Sequence, residues 1–268
     1  YNTGLFTFGN GSSNNLAYTL GLSRNNTYTD PIYPTGGSSF SFSAKFTFPY
    51  SSVNNVDYSA LKTERQDLVN QLTTDPSNTS ASERIAVIDQ EKFRWLEYYK
   101  FKFKGEWYTA LTKKLVLKPT FEFGFLGAYN NDRGIVPFER FFLGGDGLGT
   151  YSLDGRETIA LRGYPNQSLS SQDGGSIYNK YSLELRYPIS LGQQAKVYAL
   201  AFMEGGYSFN NFRDYNPFEL KRSAGLGVRL FMPQFGLLGI DFGHGFDSLQ
   251  GETDKHGWET HFIIGQNF

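Results

Sequence analysis

The feature that most constrains the fold is a strict alternation of aromatic and polar residues. In segment 40–48 every second residue is Phe or Ala, and Ser, Lys and Thr lie between them. Successive side chains of a β-strand point to opposite faces, so this pattern predicts a strand with one apolar and one polar face. About ten segments show it, with varying strength: 3–10, 15–25, 40–48, 99–107, 115–125, 176–188, 195–209, 219–231, 237–247 and 257–268.

Composition indicates where these apolar faces lie. Aromatic residues make up 17% of the 268 residues, yet only 39% are hydrophobic. The longest apolar run, 197–203, is much shorter than the roughly 18–20 residues of a transmembrane helix. Many of the predicted strands are long enough to cross a bilayer when tilted. Apolar faces of Phe, Tyr and Leu opposite faces of Lys, Glu and Arg favour a membrane β-barrel over a soluble sandwich, which is the alternative.

The connections alternate in length. Short turns are predicted at 112–114, 190–194 and 233–236, and long loops at 49–97, 130–175, 210–218 and 248–256. Short turns on one side and long loops on the other are typical of outer-membrane barrels. We therefore predict an all-β fold, a transmembrane antiparallel β-barrel of the outer-membrane type that occupies residues 1–268.

One segment has a helical rather than a strand pattern. Within 50–97 the sequence predicts two short amphipathic helices, separated by Asp75-Pro76-Ser77-Asn78, in an extracellular loop insertion. No motif assigns it chemistry, so a surface decoration is favoured over a partner-binding role.

Charge and residue counts exclude several classes of function. With 25 basic and 26 acidic residues the net charge is −1, which argues against a nucleic-acid partner. The chain has no Cys and three His, whose spacing matches no metal motif. No catalytic triad or pair of catalytic carboxylates is visible. We therefore expect no cofactor, no metal, no small-molecule substrate and no enzymatic activity.

The most informative stretch is the loop at 130–175. It contains the run Pro137-Phe138-Glu139-Arg140-Phe141-Phe142-Leu143-Gly144-Gly145 and, later, Leu161-Arg162-Gly163-Tyr164. A long ordered loop usually packs on another part of the molecule, and an external loop of this length can fold into the lumen of a barrel.

These two motifs resemble those of the BamA family of outer-membrane insertases. Family members carry a similar Pro-Phe-Glu-Arg run before an Arg-Gly-aromatic signature at the tip of the sixth external loop, although Leu161 replaces the usual β-branched residue. The segments 33–36, 182–185, 202–206 and 262–268 also look like the family, with Glu204 where Asp is common. The resemblance covers most of the chain except the helical insertion.

The resemblance implies a barrel of sixteen strands, preceded by periplasmic repeat domains. Since about ten strands are predicted here, we expect this chain to be the C-terminal portion, with the remaining strands and domains upstream. A complete ten-stranded barrel is the alternative, although its narrow lumen would hold the long loop poorly.

Two acidic residues are predicted to face the lumen. Alternation places Leu183 and Met203 outward, and therefore Glu184 and Glu204 inward, on consecutive antiparallel strands. The resemblance implies that Arg162 is their cation. A planar guanidinium can bridge two acceptors. The alternative is that Arg162 is a solvated loop charge.

The last strand is the second candidate site. The resemblance implies that it meets the first strand at a weak seam, where a client strand is added. Its unpaired backbone groups are costly in lipid and form a template for another strand. We assign the client-pairing edge to Phe262, Ile264, Gly265 and Phe268, with Gly265 as the residue able to bend the strand.

The expected function is the assembly and insertion of proteins into the bacterial outer membrane. The expected partners are nascent outer-membrane β-barrel proteins, accessory subunits of an assembly complex and outer-membrane lipid. The alternatives are a polypeptide-secreting transporter of the same superfamily and a passive pore, which would have a ring of charges around an open constriction.

Overall fold

Nine long strands form one antiparallel sheet, as the alternation predicts. The computed structural model describes residues 12–28, 30–148, 157–249 and 251–265. The strands are β1 (Ala17–Asn25), β2 (Gly36–Thr47), β3 (Tyr99–Ala110), β4 (Val116–Gly127), β7 (Ile177–Leu191), β8 (Lys196–Phe209), β9 (Lys221–Met232), β10 (Gly236–Ser248) and β11 (Lys255–Gly265), and they are neighbours in that order. The strand predicted at 3–10 lies outside the described residues.

Two further strands belong to the long loop, residues 128–176, that connects β4 to β7. These are β5 (Phe141–Leu143) and β6 (Glu157–Ile159), which pair in parallel. The sheet thus runs from β4 directly to β7, and the long loop forms a separate layer on it.

The two faces of the sheet differ as the alternation requires. Leu183 and Met203 lie opposite each other on β7 and β8, and both are exposed. Their neighbours Glu184 and Glu204 point to the other face and are buried. The outer face is apolar and the inner face is polar, which is the arrangement of a wall between lipid and an aqueous lumen.

The sheet is strongly curved. Asn25 at the end of β1 and Ile263 near the end of β11 line one cavity of about 470 Å³, although seven strands separate them. Within the described ranges β1 and β11 are the two edges of the sheet and do not pair with each other. The described part of the chain is therefore an open barrel wall.

Short turns lie at one end of this wall. The turns after β3, β7 and β9 each contain three to five residues, and the turn between β1 and β2 folds back against them. Tyr33 in that turn donates hydrogen bonds to the carbonyl oxygens of Lys114 and Arg186, at 3.1 and 2.9 Å. Asp30 forms an ion pair of 2.6 Å with Lys196.

Two helices lie at the opposite end, in the connection between β2 and β3. They are α1 (Tyr58–Thr74) and α2 (Thr79–Phe93). Each begins where a side chain accepts the hydrogen bond of a free backbone N–H: Asp57 from Ala60 at 3.0 Å, and Asn78 from Ala81 at 3.0 Å.

Facing charges join the two helices. Arg65 binds both carboxylate oxygens of Asp89, at 2.6 and 3.0 Å. Arg84 binds Glu64 in the same way, at 2.6 and 2.9 Å. In the part of the chain that the structure describes, no helix is both long and apolar enough to cross a membrane.

The largest apolar core lies between the long loop and the sheet. Leu161, Leu143 and Phe141 of the loop are fully buried there with Leu126 of β4, and Phe93 at the end of α2 joins them. The hydrophobic effect therefore holds the loop on the inner face of the wall and connects it to the helices.

Candidate functional site: a buried charge cluster on the inner wall

Arg162 lies at the tip of the long loop and binds three carboxylates. Its Nη2 atom donates to Glu184 at 2.8 Å and to Glu204 at 2.7 Å. Its Nη1 atom donates to Asp241 at 3.1 Å, and its backbone N–H donates to Glu204 at 2.9 Å. The three acids come from β7, β8 and β10, so one side chain connects strands across half of the wall.

Further cations complete the tip cluster, which we define as Arg162, Glu184, Glu204 and Asp241 with the basic residues that bind these acids. Arg186 donates to the second oxygen of Glu184 at 2.6 and 2.9 Å. The Nζ atom of Lys180 lies 3.5 Å from the Glu204 carboxylate, and the Ser182 hydroxyl donates to the same carboxylate at 3.1 Å. Each carboxylate is therefore shared between the loop and a basic residue of the wall, which offsets part of the cost of its burial.

Asp241 and Arg229 belong to the cluster although sequence reasoning missed both. Arg229 donates to both oxygens of Asp241, at 2.6 and 2.7 Å. Alternation along β9 and β10 already places both side chains inward, opposite glycines. The missing information was the depth at which the loop tip contacts the wall, which depends on the register of several strands.

The cluster is almost dry. Arg162 is 6% exposed, and its guanidinium carbon lies 3.8 Å from the ring centre of Phe202. Burial alone would lower the pKa of the Arg162 guanidinium, but the carboxylates of Glu204, Glu184 and Asp241 raise it above its usual value. Arg162 is therefore permanently charged, and its ion pairs are little screened by solvent.

Glycines allow the tip to approach the wall closely. Gly163 has φ +85°, and a Cβ atom there would lie 2.7 Å from Ser223. Opposite it on β10, a Cβ atom on Gly243 would lie 2.7 Å from the Gly163 nitrogen, and one on Gly245 would lie 2.6 Å from the Gly163 oxygen. A larger residue at any of these positions would hold the tip away from the wall.

The residues on either side of Arg162 and Gly163 are held as well. Leu161 exchanges two backbone hydrogen bonds of 3.0 Å with Gly145. Tyr164 is buried; its hydroxyl donates to the carbonyl of Arg222 at 2.7 Å and accepts from the N–H of Asp247 at 3.2 Å. The whole Leu161-Arg162-Gly163-Tyr164 segment therefore has fixed partners.

A second set of ion pairs holds the other end of the loop, and we call it the lysine anchor: Glu139 and Glu157 with Lys45, Lys100 and Lys102. Glu139 pairs with Lys45 at 2.8 Å and Lys100 at 3.1 Å, and Tyr98 donates to it at 2.6 Å. Glu157 pairs with Lys100 at 2.7 Å and Lys102 at 2.9 Å.

Burial alone would raise the pKa of Glu139, but hydrogen bonds from Lys45 and Tyr98 lower it below its usual value of 4.5. The acid is therefore ionised at neutral pH, and the lysine anchor fixes the loop to β2 and β3 by charge.

The other predicted loop residues shape this end. Pro137 is buried and begins a 3-10 turn, Pro137–Glu139, and Phe138 within this turn packs against the apolar core. Arg140 donates to the carbonyl of Gly174 at 3.2 Å. Phe141 is fully buried and lies 4.8 Å from the ring of Tyr178.

Gly144 and Gly145 turn the chain after β5. Their φ angles are +124° and +78°, a region that residues with a side chain rarely adopt. A Cβ atom on Gly145 would lie 1.9 Å from the side chain of Asn166, so the loop requires glycine there.

The last strand lies beside the loop tip. Phe262 and Ile264 are exposed on its outer face, and Gly265 lies opposite Leu237 at the end of β11. Phe268 lies outside the described residues. The irregularity in the pairing of β10 with β11 is at the other end, between Gly245 and Ser248.

Sequence reasoning assigned no role to His261, on the inner face of β11. Its Nε2 atom accepts the N–H of Gly163 at 2.7 Å. His261 also lies directly opposite Asp241, so the terminal strand adjoins the tip cluster. In the ranges that the structure describes, no group of three His or acidic side chains is arranged to hold a metal ion.

Comparison with known proteins agrees with this architecture. A family model described as the Omp85 superfamily domain matches residues 6–268. The crystal structure of BamA from Haemophilus ducreyi lacking POTRA domains 1-3 superposes with a TM-score of 0.55 at 17% identity. The match covers 92% of this chain and 42% of that one, so this chain spans less than half of the BamA structure. No curated protein matches.

The likeness in fold confirms the predicted class, an all-β antiparallel barrel of the outer-membrane type, of which the described residues form an open part. The two comparisons also confirm the resemblance to the BamA family that the sequence motifs indicate. The family model covers nearly the whole sequence, and the chain therefore belongs to the Omp85 superfamily.

Proposed function

We propose that this chain is part of a machine that inserts β-barrel proteins into the bacterial outer membrane, by adding client strands at a weak seam beside β11. The observation that carries the proposal is the loop tip: Arg162, bound to three acids of the wall, lies next to the terminal strand through the contact of Gly163 with His261. This contact supports the proposal, because movement of β11 would reach the loop tip through it.

The edge of β11 has the chemistry that strand addition needs. In the part of the chain described, β11 has one neighbour, β10, so one row of its backbone groups faces no strand. Unpaired backbone groups at an edge in lipid are unfavourable and bind another strand readily. A client strand would gain its own backbone hydrogen bonds there without a nucleotide or a catalytic residue.

A passive pore is not favoured by this geometry. The long loop lies on the inner face of the wall and is held there by a buried apolar core, whereas a pore is expected to keep its inner face free for solutes. The expected partners follow from the proposed function: nascent barrel proteins, accessory subunits and outer-membrane lipid.

The whole protein, reconstituted into liposomes of outer-membrane lipid, would test the proposal. A cysteine replacing Ile264 should form a disulfide with a cysteine in the terminal strand of a barrel client during assembly, and the client should become folded and protease-resistant in the membrane. A cysteine replacing Leu183, exposed on the outer face of β7 away from the edge, is the matched control and should not crosslink.

The same assay separates insertion from secretion. A client that crosslinks at β11 and folds in the bilayer supports insertion. A client that instead crosses into the lumen of the vesicle, without contacting β11, would refute insertion and identify a secretion transporter.

A further inference from the structure

The carboxylate of Asp146 lies against the backbone of the last strand. The N–H of Phe262 donates to its Oδ2 atom at 3.1 Å. Alternate backbone groups of an edge strand point away from its neighbour in the sheet. Since β10 is the single described neighbour of β11, an N–H that donates to a loop side chain lies on the free edge.

The adjacent residue contacts the same loop through its side chain. His261 accepts the N–H of Gly163 at 2.7 Å on the inner face. Two consecutive residues of β11 therefore bind two separate parts of the long loop: one near its tip, and the other just after the turn at Gly144 and Gly145.

Asp146 is firmly held in the loop. Its Oδ1 atom accepts from the Leu148 N–H at 2.9 Å and from Asn166 at 3.2 Å. Burial alone would raise the pKa of Asp146, but these hydrogen bonds and the one from Phe262 lower it below its usual value of 3.8. Ionised at neutral pH, the carboxylate acts only as an acceptor, and it presents one oxygen to the loop and one to the strand.

A strand pairing with β11 would need the position that this oxygen occupies. In an antiparallel ladder the free-edge N–H groups donate to backbone carbonyl oxygens of the next strand. A carboxylate oxygen makes the same hydrogen bond and strengthens it by its charge. The carbonyl oxygen of an incoming strand and the carboxylate of Asp146 therefore cannot both accept the hydrogen bond of the Phe262 N–H.

We propose that Asp146 covers the free edge of β11 at Phe262, and that an incoming extended strand has to displace it. The surface involved is the backbone edge around Phe262, and the partner that fits it is a polypeptide strand whose carbonyl replaces the carboxylate. Docking of the loop and strand addition then oppose each other. The inference rests on the proposed function, since it names the residue that regulates access to the same edge.

The substitution Asp146→Asn separates the two roles of the side chain. The asparagine keeps one side-chain oxygen, which still accepts from the Leu148 N–H and from Asn166. Its NH₂ group then faces the Phe262 N–H, and two donors cannot form a hydrogen bond with each other. The size and the loop contacts are kept, so the loop should remain in place.

Two measurements on the whole protein in lipid test the proposal. Amide hydrogen exchange at Phe262 should become about tenfold faster in Asp146→Asn, the effect of losing one charge-assisted hydrogen bond. The rate of disulfide formation between a cysteine replacing Ile264 and a client strand should rise by a similar factor, because the competitor is removed.

The matched control is Asp132→Asn, which changes another acid of the same loop. Asp132 pairs with Lys62 of α1, not with a residue of β11, at 3.0 Å, and both side chains are about half exposed. Exchange at Phe262 and crosslinking should both stay at the values of the unmodified protein.

Unchanged exchange at Phe262 in Asp146→Asn would overturn the proposal, and so would faster exchange without faster crosslinking. Absence of client crosslinks in all three proteins would instead refute the proposed function, and the inference with it.

Discussion

Two sets of ion pairs hold the long loop to the wall, and the loop contributes acids to one set and a basic residue to the other. At the lysine anchor, acids of the loop bind lysines of β2 and β3, of which Lys102 is 43% and Lys45 30% exposed, whereas Lys100 is 6% exposed. At the tip cluster, a basic residue of the loop binds acids of β7, β8 and β10, of which Glu204 and Asp241 are 2% and 0% exposed.

The difference in solvent decides how costly each end is to break. A pair in contact with water loses modest Coulomb energy when it separates, since water replaces the partner. A charge left without its partner in a dry site keeps a large desolvation penalty. The lysine anchor, with two of its three lysines in contact with water, should therefore be less costly to break than the tip cluster, which strongly favours one docked position.

The largest effect is expected from Arg162→Ala. It leaves three buried carboxylates without their shared cation, so docking of the tip should weaken by about 3–5 kcal/mol. Arg162→Lys should restore little, because one ammonium cannot supply the planar set of donors that reaches Glu184, Glu204 and Asp241. Protease cleavage within the loop of the membrane-inserted protein, together with client folding in liposomes, measures both variants.

Arg213→Ala is the control for this experiment. Arg213 is exposed in the connection between β8 and β9, and its removal should change neither loop cleavage nor client folding. If Arg162→Ala left the loop as protease-resistant as the Arg213 control, the tip cluster would not be what holds the loop.

An intermediate effect is expected at the other end, from Glu139→Gln. The amide keeps the size of the side chain and can still accept from Tyr98, but it loses the charge that binds Lys45 and Lys100. Docking should weaken by about 1–2 kcal/mol, and loop cleavage should increase less than in Arg162→Ala. Equal or greater cleavage in Glu139→Gln would reverse the comparison between the two ends.

The smallest effect is expected from Arg84→Gln on α2. Its ion pair with Glu64 joins the helices but lies in solvent, with the side chains 45% and 40% exposed. Exposed pairs contribute little to stability, so loop cleavage and thermal stability should not change measurably. The matched variant is Arg65→Gln, whose partner Asp89 is 2% exposed. Of the two, Arg65→Gln should be the more destabilising.

The sheet was predictable because alternation is a local property. Each strand from β1 to β11, apart from the two short ones in the loop, coincides with a predicted segment to within a few residues. The same alternation of side chains that predicts Leu183 on the outer face predicts Glu184 on the inner face. The helices followed from the loss of alternation and from the break at 75–78, where Asn78 caps α2.

Partners that meet across the lumen were not predictable in this way. Nothing local to Asp241 distinguishes it from other inward acids, since its contact with Arg162 requires the loop to reach β10. The lysines that bind Glu139 lie on β2 and β3, about ninety and forty positions earlier in the chain, respectively. Contacts like these depend on how the sheet curves, which no short segment of sequence encodes.

The attachment points of the loop also have a mechanical consequence. The loop continues covalently from β4 and into β7, and its ion pairs reach β2 and β3 on one flank and β8 and β10 on the other. The loop therefore connects strands on both flanks of the curved wall, and its length limits the radius of curvature of the wall. Any widening of the barrel must stretch the loop or break one of its two sets of ion pairs. The stiffness of the loop thus limits how far the wall can flex before Arg162 separates from its acids.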